Sequence, residues 1–297
     1  MIRRDCMEHK QLVFVYGTLR RNEKNHRLVE DATCVAEQAW TTGLLFDTGF
    51  EYPALQQDIQ GRVYGELYEI NNEQLQKLDA LEGYSGKGNT NFYDRITQTI
   101  STDQGVHEAY VYVVEPLKIE MFKTRIDSGD WKVYCLIKQS TLGYFAYGSC
   151  MDAARFIKAN VNHYFNKVVG TGVLDGYSLR YTIKSFDGGR ADIVESGGIV
   201  EGKVYEISSE ALPYLFRREG VTAVRYRPAV VQVKMADNML KEVLTFIVVE
   251  KETEVAPPAH YMEEIIRGGK GFLSDEYMKI LKKDSQKLVL QTEEDKK

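Results

Sequence analysis

Several features that often reveal a protein's function are scarce or missing here. There are only four cysteines, Cys6, Cys34, Cys135 and Cys150, and none forms a Cys-x-x-Cys pair, which argues against a zinc site or a disulfide framework. The five histidines show no ligand spacing, so no metal site is predicted. The glycine-rich segment 268–271 lacks the Gly-Lys-Ser/Thr of a phosphate loop and is interpreted as a turn. No cofactor is predicted.

The sequence also lacks the features of a membrane or nucleic-acid-binding protein. No apolar run approaches the length of a membrane span, and no apolar signal core follows Arg3 and Arg4. The net charge of −5 argues against a nucleic-acid partner. Together with the scattered cysteines, these features predict a cytoplasmic protein with neither a membrane nor a nucleic-acid partner. The sequence does not indicate an oligomeric state.

A long internal repeat is present instead. Y-G-T-L-R at 16–20 resembles Y-G-S-C-M at 147–151, and V-Y-G-E-L-Y-E-I at 63–70 resembles V-E-G-K-V-Y-E-I at 200–207. Glu82-Gly83 and Glu219-Gly220 follow in the same order at nearly constant offset. Such ordered matches predict a tandem duplication of a unit of about 130 residues, an ordinary domain size.

The domain limits follow from breaks in composition. Gly129 interrupts the pattern just before the second copy begins, so we expect domains at 11–135 and 142–282. The remaining segment, 283–297, is polar and is expected to form a fraying tail.

Each copy has more strand-like than helix-like segments. Short apolar or alternating runs predict strands at 12–16, 63–70, 93–100 and 108–114, and at 143–147, 200–207, 225–233 and 243–249. A short helix is predicted after Asn71-Asn72 and after Ser208-Ser209, ending at a Glu-Gly pair each time. This pattern favours an antiparallel-rich α+β fold over a doubly wound sheet. Whether the sheet closes on itself is left open.

Glu82 and Glu219 are the strongest catalytic candidates. An isolated glutamate at a helix end is usually only a solvated surface residue. A helix C-terminus, however, disfavours an anion, which pushes the pKa of a carboxyl upward, toward acid–base catalysis.

Two loops and two tyrosines are weaker candidates. The glycine and hydroxyl residue of Tyr-Gly-Thr and Tyr-Gly-Ser could direct backbone N–H groups toward a bound anion, although an ordinary strand-ending turn explains either one alone. Ser149 is a poor nucleophile candidate because no Gly-x-Ser-x-Gly elbow surrounds it. Tyr93 and Tyr226 are interpreted as inward-facing sheet aromatics that could line a site.

The ordered motifs resemble a known superfamily. The first half resembles γ-glutamylamine-cyclotransferase-like domains, and the second half resembles the γ-glutamylcyclotransferase branch. The resemblance covers residues 11–135 and 142–280. The motifs that carry it in the first half are Tyr-Gly-Thr-Leu-Arg at 16–20, Asn25-His26, Tyr-Pro-Ala-Leu at 52–55, 61–68 and 78–84. In the second half they are 145–149, 191–194, 202–205, 218–221 and the helix-like segment beginning at Pro258.

This resemblance implies a fold and a reaction. The fold would be a small mixed β-barrel with flanking helices in each half, and the reaction would release 5-oxoproline when the substrate's α-amine attacks its γ-amide carbonyl. Such an enzyme would be classed as a C–N lyase or an acyltransferase, with a small γ-glutamyl compound as its partner and no metal or cofactor. Glu82 and Glu219 would be the acid–base residues. The substrate-binding residues would be Tyr16, Gly17, Thr18 and Leu19, and Tyr147, Gly148, Ser149, Cys150 and Met151, joined by Tyr93 and Tyr226.

Two departures from the family pattern keep alternatives open. Cys150 stands where the cyclotransferase branch usually has asparagine, and Asn22 stands where relatives often have glycine. Both domains could be catalytic, or one could be a ligand-binding or structural module. A third alternative is a purely interacting protein on a scaffold that has lost its activity.

Overall fold

The chain folds into two compact units. The structure, a computed structural model, describes residues 10–119, 122 and 124–294. The first unit ends at Tyr134 and the second begins at Cys135; they are called the first and second domain below. The limits 11–135 and 142–282 stay predictions. Cys6 and residues 295–297 of the predicted tail lie outside the described residues.

The first domain contains a closed five-stranded barrel. Its elements are β1 (Gln11–Val15), β2 (Thr33–Thr42), β3 (Leu44–Asp47), β4 (Pro53–Gln56), β5 (Arg62–Ile70), α1 (Asn72–Glu82), β6 (Asp94–Thr102), β7 (Gly105–Val113), α2 (Pro116–Ile119), β8 (Thr124–Arg125) and α3 (Trp131–Leu136), in which the division falls. The barrel order is β1-β5-β2-β6-β7. Neighbours are antiparallel except β1 and β7, which pair in parallel at Val13 and Tyr110 and so close the barrel.

The second domain repeats this topology. Its elements are β9 (Thr141–Ala146), α4 (Ala153–Lys158), β10 (Val168–Asp175), β11 (Ser178–Ser185), β12 (Gly188–Val194), β13 (Ile199–Ser208), α5 (Leu212–Arg218), β14 (Tyr226–Met235), β15 (Leu240–Val248), α6 (Ala259–Gly269) and α7 (Asp275–Glu294). The barrel order β9-β13-β10-β14-β15 matches that of the first domain strand for strand. It closes through the parallel pair of β9 and β15 at Tyr144 and Leu244. The predicted α+β class with two small mixed barrels is confirmed.

A glycine in each copy brings two barrel strands unusually close. A Cβ at Gly65 in β5 would lie 2.2 Å from the Val15 carbonyl oxygen, and one at Gly202 in β13 would lie 2.5 Å from the Ala146 carbonyl oxygen. Only glycine therefore fits at these positions. Val15 and Ala146 immediately precede the two predicted substrate loops, so the close approach fixes the start of each loop.

The predicted helix before each glutamate is present in both domains. Asn71 caps α1 through a capping box with Gln74. Ser208 precedes a 3₁₀ turn instead, and its side chain makes no capping hydrogen bond, so α5 begins only at Leu212. Gly83 and Gly220 both adopt the left-handed conformation that ends a helix, with φ of 66° and 65°.

A buried ion network lies beneath the first substrate loop. The Arg20 side chain is almost fully buried; its Nε lies 3.1 Å from Glu66 Oε1 and its Nη1 lies 2.7 Å from Asp130 Oδ1. Glu66 also accepts hydrogen bonds from the Arg21 N–H and from Tyr68 Oη. This network connects the loop to β5 and to the segment before α3. Asp130 thus belongs to the packed interior of the first domain.

The polar segment after Leu281 differs from its prediction. Instead of fraying, residues 283–294 continue α7, because Tyr277, Leu281 and Ser285 bury one face of the helix at i, i+4 spacing. None of the helices in the described part of the chain combines the length and apolar character needed to cross a bilayer.

Candidate active sites

The first domain has a cavity of about 210 Å³ where β1 and α1 end. The structure brings together here all six residues predicted for the first site: Tyr16, Gly17, Thr18, Leu19, Glu82 and Tyr93. Residues not assigned to the site by the sequence also line it: Phe14, Val15, Asn25, Tyr52, Pro53, Leu81, Phe92 and Tyr112.

Glu82 is the last residue of α1, and it lines this cavity. Among the residues that the structure describes, none donates a hydrogen bond to its carboxylate. Burial raises the pKa of Glu82 to about 7, because withdrawing a carboxylate from water disfavours its charged form. A carboxyl with this pKa can both accept and donate a proton near neutral pH.

Two tyrosines line the same cavity as Glu82, but their hydroxyl groups donate hydrogen bonds to backbone carbonyl oxygens. Tyr16 Oη donates to the Tyr112 carbonyl oxygen at 2.7 Å, and Tyr93 Oη donates to the Pro53 carbonyl oxygen at 2.9 Å. Burial is the main cause that raises the pKa of both phenols, and the nearby Glu82 charge adds to it. Both phenols therefore stay protonated near neutral pH, which leaves Glu82 as the group that titrates in the cavity.

The loop after β1 is held rigidly while some of its N–H groups stay available. The Arg20 N–H donates to the Gly17 carbonyl oxygen at 3.0 Å. Asn25 donates from its backbone N–H to the Thr18 carbonyl oxygen and from Nδ2 to Thr18 Oγ1, both at 2.9 Å. Within the described residues, the N–H groups of Gly17, Thr18 and Leu19 donate to no acceptor. Three donors on one cavity-lining turn thus remain for a ligand.

The second domain has a larger cavity, of about 360 Å³, in the equivalent place. The structure brings together here six residues predicted for the second site: Tyr147, Gly148, Ser149, Cys150, Glu219 and Tyr226. It does not bring Met151 to the cavity. Met151 ends a 3₁₀ turn, Ser149–Met151, and its side chain is completely buried in the core, while its carbonyl oxygen accepts a hydrogen bond from Lys203 Nζ at 3.0 Å.

The second cavity repeats the hydrogen bonds of the first. Tyr147 Oη donates to the Phe246 carbonyl oxygen at 2.5 Å, and Tyr226 Oη donates to the Ala191 carbonyl oxygen at 2.7 Å. The backbone N–H groups of residues 148–150 again donate to no acceptor in the described part of the chain. The duplication therefore extends to the arrangement of the candidate site.

Glu219, unlike Glu82, has partners. Cys150 Sγ donates to Glu219 Oε1 at 3.4 Å, and Arg218 Nε lies 3.8 Å from the same oxygen and 3.1 Å from Cys150 Sγ. Burial raises the pKa of Glu219, while Arg218 and the Cys150 hydrogen bond oppose that rise. Because burial also raises the pKa of Cys150, its thiol stays neutral and acts as a donor to the carboxylate.

Comparison with known proteins bears on both cavities. The family described as gamma-glutamyl cyclotransferase, AIG2-like, matches residues 13–133, and the AIG2-like family matches residues 199–281. YkqA of Bacillus subtilis, provisionally named a gamma-glutamylcyclotransferase, is 45% identical over 281 residues, which cover 93% of this chain and 98% of YkqA. The chain belongs to the gamma-glutamylcyclotransferase family.

Two further comparisons support this membership. The crystal structure of YkqA superposes with a TM-score of 0.84 at 44% identity, covering 94% of this chain and 98% of YkqA. A Niallia circulans protein named gamma-L-glutamyl-butirosin B gamma-glutamyl cyclotransferase is 41% identical over 125 residues, which cover 42% of this chain and 77% of that protein. The tandem arrangement is thus shared with a gamma-glutamylcyclotransferase-family protein of known structure.

The two gamma-glutamylcyclotransferase-family domains differ most in the charge around their cavities. No lysine or arginine is found among the described residues that line the first cavity. The second cavity is lined by five arginines, Arg155, Arg190, Arg217, Arg218 and Arg225. Sequence reasoning did not assign any of them to the site. The sequence feature that could have identified three of them is their position: Arg217 and Arg218 come directly before Glu219, and Arg225 comes directly before Tyr226.

The arrangement suits proton transfer and anion binding. Among the described residues, no group of three or more His, Cys, Asp and Glu side chains is placed to hold a metal ion. What each cavity offers is one carboxyl with a raised pKa beside a turn with free N–H groups. This combination can move a proton and bind a carboxylate or a developing oxyanion.

Proposed function

We propose that both domains catalyse γ-glutamyl cyclisation, releasing 5-oxoproline from γ-glutamyl amines, amino acids or related small conjugates. The α-amine nitrogen bonds to the γ-carbonyl carbon of the same molecule, and the bond from that carbon to the amide nitrogen breaks. Two protons leave the α-ammonium nitrogen as it becomes the lactam N–H, and the departing nitrogen gains two and leaves as an ammonium ion. The observation that carries the proposal is the Glu82 carboxyl, which has a pKa of about 7 and no hydrogen-bond partner among the described residues. It shares its cavity with loop N–H groups that donate to no described acceptor.

Glu82 and Glu219 serve as the proton carriers. Each carboxylate takes the proton that the α-ammonium must lose before its nitrogen can attack, and returns it to the leaving nitrogen. General acid–base catalysis of this kind contributes typically ~10²–10⁴-fold. A carboxyl of ordinary pKa would take the proton less readily, so the burial that raises the pKa of both groups supports this role.

The two loops bind the negative charge of the substrate. In this proposal the N–H groups of residues 17–19 and 148–150 hold the α-carboxylate or the oxygen of the amide under attack, which is supported by the position of these residues in the cavity walls. Since nucleophile and electrophile belong to one molecule, the site needs only to hold the folded-back conformer. The reaction as written needs no cofactor, and we place it in the cytoplasm, as the sequence predicts.

A second candidate function assigns catalysis to the first domain alone and ligand binding to the second. Its supporting observation is that Glu219 is contacted by Arg218 and Cys150, whereas Glu82 has no hydrogen-bond partner among the described residues. A carboxylate that is held by a cation is a weaker base.

The deciding experiment is an assay of 5-oxoproline on a panel of γ-glutamyl amines and γ-glutamyl amino acids. The purified full chain should release 5-oxoproline together with an equimolar amount of free amine from at least one compound. The Glu82→Gln and Glu219→Gln proteins then show which domain acts on which compound. Activity lost only with Glu82→Gln would favour the second candidate, and no product from any compound would refute both.

The pH profile of the first site should reflect Glu82. In the Glu219→Gln protein, kcat/KM for 5-oxoproline release should rise with pH around a midpoint near 7, because kcat/KM reports the pKa of the base in the free enzyme. Below that midpoint Glu82 already carries a proton and cannot take one from the substrate. A midpoint near 4.5, the ordinary value for glutamate, would contradict a base in this buried position.

A further inference from the structure

The second cavity is surrounded by positive charge. Its five arginines come from α4, β12, the end of α5 and the segment before β14, and Glu219 is the only acid among the described residues that line it. The first cavity has one acid, Glu82, and its described lining contains no cation. Since both sites would bind the same γ-glutamyl group, the added charge must serve the part of the substrate beyond the amide.

Three of these arginines already have partners. Arg155 forms an ion pair with Glu264. Arg190 Nη2 lies 2.6 Å from Asp187 Oδ1, and its guanidinium lies over the Tyr261 ring. Arg218 contacts Cys150 and Glu219, as described above. These three form part of the cavity wall, and Arg218 also contacts the catalytic candidate Glu219. Their charge is partly balanced by acids of the same domain.

Arg217 and Arg225 are different. Neither guanidinium forms a hydrogen bond or ion pair with any described residue, and both side chains are exposed while also lining the cavity. Arg217 lies in the last turn of α5, two residues before Glu219. The Arg225 side chain passes Gly220, where a Cβ would lie 3.2 Å from Arg225 Cδ. Two unpaired guanidinium groups thus stand at the cavity, close in the chain to the proposed base.

We propose that the second site selects γ-glutamyl conjugates whose leaving amine carries two carboxylates, as an acidic amino acid does. This selection rests on the proposed cyclotransferase function. The loop N–H groups bind the γ-glutamyl part in both domains, and Arg217 and Arg225 bind the two carboxylates of the leaving group. The larger volume, about 360 against 210 Å³, provides room for that group. Guanidinium–carboxylate pairs can be bidentate, which adds orientation to attraction.

The test uses two dipeptides that differ by one charge and little in shape, γ-glutamyl-glutamate and γ-glutamyl-glutamine. In the Glu82→Gln protein only the second site acts, and kcat/KM for the glutamate dipeptide should exceed that for the glutamine dipeptide about fivefold or more. Adding Arg217→Gln and Arg225→Gln should reduce this ratio to below about twofold. The preference should also shrink as salt rises from 0.05 to 0.5 M, because exposed charges are screened.

Two controls isolate the arginine effect. Lys158→Gln with Lys234→Gln removes two exposed positive charges of the same domain that do not line the cavity, so the preference should persist. The Glu219→Gln protein, with only the first site, should show no preference for the glutamate dipeptide. A ratio near one in the Glu82→Gln protein, or one that the arginine replacements leave intact, would overturn the proposal.

A binding measurement separates failure of this proposal from failure of the proposed function. Should no variant release 5-oxoproline from any compound, the cyclotransferase function fails, and calorimetry of the two dipeptides with the full chain still tests the selectivity. Tighter binding of γ-glutamyl-glutamate that is lost on replacing Arg217 and Arg225 would support it. Equal binding of the two dipeptides would overturn it.

Discussion

Replacing Glu82 and Glu219 together by glutamine is expected to lower 5-oxoproline release by about 10²–10⁴-fold. Glutamine keeps the size of each side chain but cannot take a proton from the α-ammonium or return it to the departing amine. Burial raises the pKa of both carboxyls, so their charged forms cost the folded state free energy. We therefore expect the variant to be at least as stable as the parent chain above pH 7, and the loss to be one of chemistry.

A matched control removes two other glutamates from the same helical segments. Glu73 lies in the first turn of α1, and Glu210 lies in the 3₁₀ turn before α5; both are exposed and outside the cavities. Glu73→Gln with Glu210→Gln should keep activity within about twofold, since surface changes have small effects. Full activity in the Glu82→Gln/Glu219→Gln protein would mean that a different group carries the proton.

The sequence was sufficient to predict the repeat, the class of fold and twelve of the residues that line the two cavities, six in each. The reason is that the duplicated parts carry strong local signals. β5 and β13 each contain a glycine, and each is followed by a capped or proline-containing helix that ends at or just before a Glu-Gly pair. These signals come from residues that are close together in the chain, so they can be recognised without knowledge of the tertiary fold.

Other strands could not be predicted because their local pattern is broken. β2 pairs with β5 through register shifts between Cys34 and Ala36 and between Ala36 and Ala39, which interrupt the alternation of buried and exposed residues. β10 contains Gly170 and Gly172, which weaken a strand signal. Both strands are stabilised by pairing with the barrel strands on either side, and this pairing is known only from the tertiary structure.

The charge around the second cavity is also a tertiary property. Arg155 comes from α4 and Arg190 from β12, far in sequence from Arg217, Arg218 and Arg225, and only the fold brings them to one place. Met151 shows the converse case. The family resemblance included it in the substrate loop of residues 147–151, whereas the 3₁₀ turn places its side chain in the core.

The ion network under the first loop should contribute strongly to the stability of the first domain. Arg20→Met is expected to destabilise the first domain by about 3–5 kcal/mol, because it leaves the buried carboxylates of Glu66 and Asp130 without their cation. Methionine is chosen because the second copy has Met151 at the matching position. There the residue matching Glu66 is Lys203, which donates to the Met151 carbonyl oxygen, so no buried carboxylate is left at that position.

Urea unfolding of the full chain, followed by tryptophan fluorescence, measures this effect selectively. The two tryptophans of the chain, Trp40 and Trp131, both lie in the first domain, so their signal reports that domain. As a control, Arg27→Met removes an exposed arginine, and the free energy of unfolding should change by less than about 0.5 kcal/mol.

A variant with neutral side chains at all three positions of the network distinguishes the contribution of charge to stability from that of packing. Adding Glu66→Gln and Asp130→Asn to Arg20→Met removes the uncompensated charges, and should restore part of the lost stability, since replacing a whole buried ion network costs less than removing one member. The restored protein should also recover 5-oxoproline release at the first site, because the loop of residues 17–19 depends on a stable β5 beneath it. If the triple variant is as unstable as Arg20→Met, the Arg20 side chain stabilises the domain by packing, and its charge contributes little.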